Sequence, residues 1–446
     1  MTSTVFDSEL FRDMFGTAEM RAVFSDEGYL TRCLDVEAAL ARAQAAIGII
    51  PKAAAREISD KAKFAIVDLA RMKRETEIVG YPILPLVKQL SAACSTEAGG
   101  YVHWGATTQD IMDNATVLQL RTAFELLEKD LDNILASLAS LARRYRDAPM
   151  AGRTHLQQAL PITFGYKAAV WRAPLVRSRE RLAQLRARVL VGQIGGAAGT
   201  LASLGDKGLA VRAALMRELG LAEPAITWHV ARDALAEAVL FAGLLTGSLG
   251  KIASDVMMMM ATEFGEVFEP FEHGRGSSST MPQKRNPISS ELILACAKLV
   301  RQHCALMLDA MVQDFERATG PWHAEWIALP ESYIATAGAL RQAKLMLAGL
   351  SVDTGRMQRN LDLTSGLIVA EAVMMGLAPK LGRQVAHDIV YGACRAATRS
   401  GRPLIDLLVA DKQIGPHFKR AELEKLLDPR NYLGSAGEMV DRSLRD

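Results

Sequence analysis

Residues Asn114–Arg146 read NATVLQLRTAFELLEKDLDNILASLASLARRYR, an unbroken run with leucine and alanine returning every third or fourth place and neither glycine nor proline inside. That spacing is the helical period of 3.6, and the run stops shortly before Pro149, which cannot continue a helix. Working outward, Arg232–Phe264 has the same character and similar length, and Glu291–Val312 and Trp326–Leu350 continue it. Ala, Leu, Arg, Glu and Met dominate these stretches, and alternating β-branched patterns are scarce. Helices this long, apolar around much of their circumference, bury surface only against one another, so the sequence predicts an all-α fold built on a long-helix bundle that associates with further copies. The first 105 residues carry shorter helical segments, and a charged, shorter-helix tail begins near Asp353–Ser365. Three domains are expected: 1–105, a central bundle over 106–355, and 356–446.

The chain has 446 residues, 50% of them hydrophobic, and a net charge of +2, values of an ordinary globular protein with no electrostatic sign of a nucleic-acid partner. Its five cysteines, Cys33, Cys94, Cys296, Cys304 and Cys394, show no C-x-x-C spacing. A reduced, cytoplasmic setting is expected, rather than a disulfide framework or a zinc site. Met1–Phe15 contains acidic residues and no continuous apolar segment, so no signal peptide is read there. Val256–Ala261, with its four methionines, is too short for a bilayer and predicts a helix core, so no membrane partner is expected. His229, His273 and His323 are not spaced as a metal triad, and no G-x-G-x-x-G follows a strand, so neither a metal nor an organic cofactor is expected.

Three polar clusters interrupt the apolar rhythm. Gly276-Ser277-Ser278-Ser279-Thr280-Met281-Pro282-Gln283-Lys284-Arg285-Asn286-Pro287 cannot form regular structure, because Gly and Ser free the backbone and the prolines remove donors. It predicts a mobile loop, either a linker or an anion-binding nest charged by Lys284. Val102-His103-Trp104-Gly105-Ala106-Thr107-Thr108-Gln109-Asp110 precedes the first long helix. Thr107, Thr108 and Asp110 fall where N-cap and first-turn residues belong, so the threonines either cap the helix or help its amides hold an anion. Gly152-Arg153-Thr154-His155-Leu156-Gln157-Gln158-Ala159-Leu160-Pro161 places one histidine beside a presumed helix start. Such a histidine is either a structural hydrogen-bonding residue or a proton-transfer group.

The loop resembles the signature of the fumarase/aspartase superfamily, G-S-S-x-M-P-x-K-x-N, through Ser278, Ser279, Met281, Pro282, Lys284 and Asn286, with Ser277 in place of the glycine. The resemblance implies that Ser278 is the catalytic base and that Lys284 and Asn286 bind a substrate carboxylate. The first cluster is similar to the superfamily pattern G-x-T-S-x-D, with Thr108 for serine, which implies carboxylate binding by Thr107 and Thr108; His103 and Arg317 join them as candidate substrate-binding residues. The second cluster is similar to G-R-T-H-x-Q, which gives His155 a part in proton transfer or leaving-group orientation and makes Thr154 and Gln157 substrate contacts. The superfamily further implies a three-domain fold with a central long-helix bundle and a homotetramer whose active sites draw on three subunits.

Within the superfamily the chain looks most like the carboxymuconate cycloisomerase branch, through Met20–Ser25 with Asp35–Arg42, Tyr101–Asp110, Trp228-His229 with Arg232-Asp233, Glu263–Pro270, Trp322-His323-Ala324-Glu325-Trp326, Asn360–Ala372 and Leu427–Gly434. The adenylosuccinate lyase branch is less similar: Gly80–Pro85 replaces its histidine-bearing segment, and Trp326 stands in place of a phosphate-binding arginine. His155 departs from the tryptophan expected in the cycloisomerase branch. The alternative is a fumarate-releasing C–N lyase acting on an N-substituted aspartate. Either reading implies a small di- or tricarboxylate substrate, a proton lost beside a carboxylate, and an aci-carboxylate stabilised by fixed donors.

Overall fold

The computed structural model describes residues 4–271 and 274–445; Met1–Ser3, Glu272, His273 and Asp446 lie outside the described residues. The six longest helices are α1 (Asp26–Ile47), α2 (Thr108–Arg144), α3 (Phe164–Val189), α4 (Asp233–Met260), α5 (Ile288–Ala310) and α6 (Pro321–Ala348). Four of them cover the four periodic runs of the sequence with ends shifted by a few residues. In α3 and α6, Pro174 and Pro330 sit inside the helix. Each proline removes one backbone hydrogen bond, and neighbours such as Trp171, Leu175, Leu329 and Tyr333, all buried, hold the helix through it.

Helix boundaries follow local chemistry. At the start of α1 the Ser25 hydroxyl accepts from the Gly28 amide at 3.0 Å, with Asp26 and Glu27 in the positive first turn. Gly48 ends the helix in the left-handed region, φ 76°. Along α2, Ala115, Leu118, Phe124, Leu131, Leu138 and Ala142 recur at helical spacing and are buried. Each leucine of that stripe contributes roughly 1.5–3 kcal/mol by leaving water.

The chain forms two compact units. The first comprises Met1–Leu131, Arg177–Gly250 and Leu292–Gln342, and the second Asp132–Val176, Lys251–Glu291 and Ala343–Asp446. In the first unit, Leu30, Leu34, Leu40, Ile58, Leu86, Ile111, Leu118, Leu215 and Trp322 belong to one core. The second has one cluster around Val373, Leu377, Leu404 and Leu423 and another joining Ala151 to Leu361, Ile368 and Val369. Helix α4 is long and apolar enough to cross a membrane by length and composition, and 61% of its most apolar window is buried inside the protein. Of its methionine run, Met259 is buried as expected, whereas Met258 is exposed.

The all-helical expectation misses one element that bears on function. Strands β1 (Pro149–Thr154) and β2 (Gln157–Thr163) form an antiparallel hairpin, and the short β3 (Val267–Phe268) and β4 (Ser351–Val352) pair in the same sense. The hairpin register runs from Pro149 opposite Thr163 to Thr154 opposite Gln157, with an irregularity between Ala151 and Arg153. Gly152 sits at that bulge, where a Cβ would come within 2.7 Å of the Leu160 carbonyl oxygen. His155 therefore lies at a hairpin tip and not beside a helix start; α3 begins only at Phe164.

Candidate active site

In the first unit, α2 begins at Thr108, so Thr107 is its N-cap and Asp110 occupies the third helical position. The Asp110 carboxylate reaches back to accept the Thr107 amide at 2.9 Å, one half of a capping box. It also accepts the Gly195 and Gly196 amides at 2.8 and 3.0 Å, and His229 Nε2 lies 2.8 Å away. Asp110 is thus saturated and structural, pinning the turn that carries the two threonines. Both threonines are half-buried, and their hydroxyls make no hydrogen bond among the described residues. His103 stands at φ 62° with Nδ1 2.6 Å from the buried Glu37 carboxylate. Burial alone pulls the His103 pKa down, but the charge and hydrogen bond of Glu37, with Asp110 behind them, outweigh it and raise the value overall. Arg317 Nε donates to Gln109 Oε1 at 3.1 Å, and its Nη2 is buried without a partner among the described residues.

Beneath this turn Arg232 donates to Asp113 through Nη1 and Nη2, both at 2.9 Å, and to Glu325 through Nε and Nη2 at 2.8 and 2.6 Å. All three side chains are buried. Burial raises the Glu325 pKa despite the arginine beside it. Two carboxylates against one guanidinium leave a negative balance, unsuited to an anionic ligand. A cavity of about 750 Å³, lined among others by Tyr29, Met112, Asp113, Arg232 and Trp322, opens on this triad and contains none of the candidate site residues. Its size suits a small molecule, but Thr107, Thr108 and Arg317 do not line it.

In the second unit the hairpin exposes Thr154, His155, Leu156 and Gln157. His155 and Leu156 have φ of 51° and 64°, the doubly left-handed conformation of a two-residue hairpin turn that asparagine and glycine usually fill. The hairpin is fixed behind its tip. Arg153 makes a two-pronged pair with Glu266 at 2.6 and 2.9 Å, and Gln158 donates to the Asn360 carbonyl at 2.8 Å.

The serine-rich loop also lies in the second unit, and its backbone closes on itself. The Asn286 amide donates to the Gly276 carbonyl at 2.9 Å, and Ser277 bridges Arg285. Gly276 adopts φ 81°, and a Cβ there would lie 2.5 Å from the Asn286 carbonyl oxygen. Arg275 donates to the Ser289 hydroxyl at 2.8 Å, and Glu269 accepts the Ser289 and Ser290 amides at 2.9 Å each, anchoring the loop to the start of α5. Inside it, Ser278 Oγ accepts the Thr280 amide at 3.3 Å and the Met281 amide at 3.1 Å. Two donors aimed at one oxygen stabilise it as an anion. Lys284 is exposed and Asn286 half-buried.

Sequence reading alone does not single out Glu37, Asp113, Arg232, Glu266, Glu269 or Glu325 as residues that hold the site groups. Their signal is charge inside apolar surroundings, as for Glu37 between Val36 and Ala38.

The first unit thus carries two threonines whose hydroxyls make no hydrogen bond among the described residues, and the second carries a loop serine under two amides and an exposed imidazole. The chain belongs to the fumarase/aspartase superfamily of lyases: a family model described as Lyase matches residues 15–301, and one described as Adenylosuccinate lyase C-terminus matches 366–443. A crystal structure of fumarate lyase from Mesorhizobium sp. is similar at 54% identity and a TM-score of 0.92, covering 96% of this chain and 98% of that one. Trans-aconitate decarboxylase 1 of Mycosarcoma maydis is 51% identical over 97% of this chain and 88% of its own length. The 3-carboxy-cis,cis-muconate cycloisomerase of Pseudomonas aeruginosa is 48% identical over 100% of this chain and 97% of its own.

Proposed function

We propose that this chain is a 3-carboxy-cis,cis-muconate cycloisomerase, a lactonising enzyme working by acid–base addition and elimination. The observation that carries the chemistry is Ser278 Oγ under the Thr280 and Met281 amides. In the lactone-opening direction the serine oxygen takes the proton from the carbon next to a carboxylate, electrons pass into that carboxylate as an aci-anion, and the ring oxygen leaves from the neighbouring carbon as a carboxylate. Lactonisation reverses each step, with Ser278 returning the proton. Lys284, Asn286, Thr107 and Thr108 stabilise the dianionic intermediate, and fixed donors in a dry site supply several kcal/mol of such help. Thr154, Gln157, His103 and Arg317 complete substrate binding, and His155 orients the departing group. No step requires a metal or an organic cofactor. Full-length similarity to the Pseudomonas aeruginosa cycloisomerase supports the substrate.

The active form in this reading is a homotetramer with composite sites. Long helices that leave Val170, Leu244, Leu308, Ile327 and Leu345 exposed support burial against further copies. The five free cysteines fit a reducing cytoplasm.

His155 supports a second reading, a lyase releasing fumarate from an N-substituted aspartate, because an amine leaves only with a proton that an imidazole can supply. The 54% identity to a fumarate lyase is on the same side. Ultraviolet assays separate the two: loss of the conjugated diene on addition of 3-carboxy-cis,cis-muconate supports the first, and fumarate appearing from N-substituted aspartates, with the diene untouched, overturns it.

A further inference from the structure

Glu37 lies on α1 between Val36 and Ala38 and is 1% exposed, a place where an apolar residue would serve packing better. An unpaired carboxylate there would cost several kcal/mol. Its Oε1 lies 2.6 Å from His103 Nδ1, while Oε2 is buried without a partner among the described residues. Gln44, two helical turns further on the same face and fully buried, donates to the Trp104 carbonyl at 2.6 Å. One face of α1 thus grips the 103–104 turn at two points. The turn itself carries His103 at φ 62°, a left-handed conformation that residues other than glycine adopt less readily. A buried charge and a strained histidine together serve no purpose in the core. Their joint effect is to fix the imidazole with Nδ1 on Glu37 and Nε2 on the opposite edge of the ring; the His103 side chain is 20% exposed.

We propose that Glu37 is a positioning residue that holds His103 with Nε2–H presented to a substrate carboxylate, so that an oriented imidazolium meets the anion. The proposal rests on the placement of His103 among the substrate-binding groups. The charged groups facing the ring are Glu37 from α1 and Asp110 from the first turn of α2, both negative, and both favour the protonated ring. With Nδ1–H donated to Glu37, the second N–H forms a charge-assisted hydrogen bond, stronger and more directional than that of a freely rotating neutral imidazole.

The test is Glu37→Gln in the full-length protein, followed by histidine-ring NMR and by steady-state kinetics across pH. The His103 titration midpoint is expected to fall, KM to rise about tenfold as a charge-assisted hydrogen bond weakens, and kcat to change less than threefold or so. The basic limb of the kcat/KM profile should move to lower pH. Glu37→Asp, which keeps the charge, should hold the midpoint above that of Glu37→Gln and covers the case in which Glu37→Gln does not fold. Fumarate serves as a probe independent of turnover: it should shift the His103 Nε2 resonance in wild type and much less in the variant. No fumarate-induced shift in wild type, an unmoved midpoint and pH profile in Glu37→Gln, or a Glu37→Asp midpoint no higher than that of Glu37→Gln overturns the proposal. A normal fumarate shift without turnover of either candidate substrate supports the pairing and refutes the assigned reaction instead.

Discussion

Arg153 places two guanidinium nitrogens on Glu266, at 2.6 and 2.9 Å, only two residues before His155. Glu266 is fully buried and also accepts Asn360 Nδ2 at 2.7 Å. The hairpin is therefore clamped behind its tip, which leaves Thr154, His155 and Gln157 exposed on a fixed base.

Removing one partner of that clamp should be costly. Glu266→Gln leaves the Arg153 guanidinium without its countercharge and should lower stability by about 3 kcal/mol. Arg153→Lys keeps the charge, loses the two-pronged geometry and should lose less. Thermal melts of both variants, alongside kcat, check this. Equal, negligible melting shifts would remove the clamp from the account.

Ser278→Ala should leave melting temperature and oligomeric state unchanged, because the Thr280 and Met281 amides it abandons lie in an exposed loop. Turnover should fall by about 100-fold or more, the usual contribution of a positioned base. Near wild-type kcat would transfer the role to another group.

His155→Trp discriminates the two reactions. A carboxylate leaves a lactone unprotonated, so a cycloisomerase should keep measurable activity on 3-carboxy-cis,cis-muconate with the larger ring. Amine expulsion needs an acid, and its loss should cost about 100-fold or more. Wild-type fumarate release that the variant abolishes, with no diene turnover in either protein, would reject the lactonising assignment.

Stability should carry a mark of the His103–Glu37 pair. The folded His103 pKa is raised, so folding favours the protonated ring. That contribution is complete below the unfolded value of about 6.5 and disappears as pH rises through the higher folded value. Urea unfolding followed from acid to mildly alkaline pH should show wild type losing, across that window, a margin over Glu37→Gln that it holds at lower pH. A margin independent of pH would contradict the linkage.

The helices were legible because length and a 3.6-residue period leave little choice: Asn114–Arg146 reads as helix and lies within Thr108–Arg144 but for two terminal residues. The expected segments 1–105, 106–355 and 356–446 follow chain order, whereas each compact unit gathers three stretches far apart in sequence, which periodicity does not report. The hairpin was illegible because its turn is His-Leu, without the Asn-Gly signal, and because Gly152 and Pro161 mask the strand alternation. The polar clusters stood out as polar. What orients them did not, since Glu37, Glu266 and Asp110 act through partners 66, 113 and 119 residues away in the chain.

The left-handed His155-Leu156 tip has a consequence for anyone redesigning this protein. A stabilising programme guided by turn statistics would write Asn-Gly there and recover roughly 1–2 kcal/mol per relaxed residue, yet it would erase the imidazole that distinguishes the two candidate reactions. Leu156→Gly alone would relieve half of the strain and leave the histidine in place. On the role proposed for His155, the tip is a site where robustness and selectivity are separable by one residue, and a starting position for exchanging one elimination chemistry for another on an unchanged scaffold.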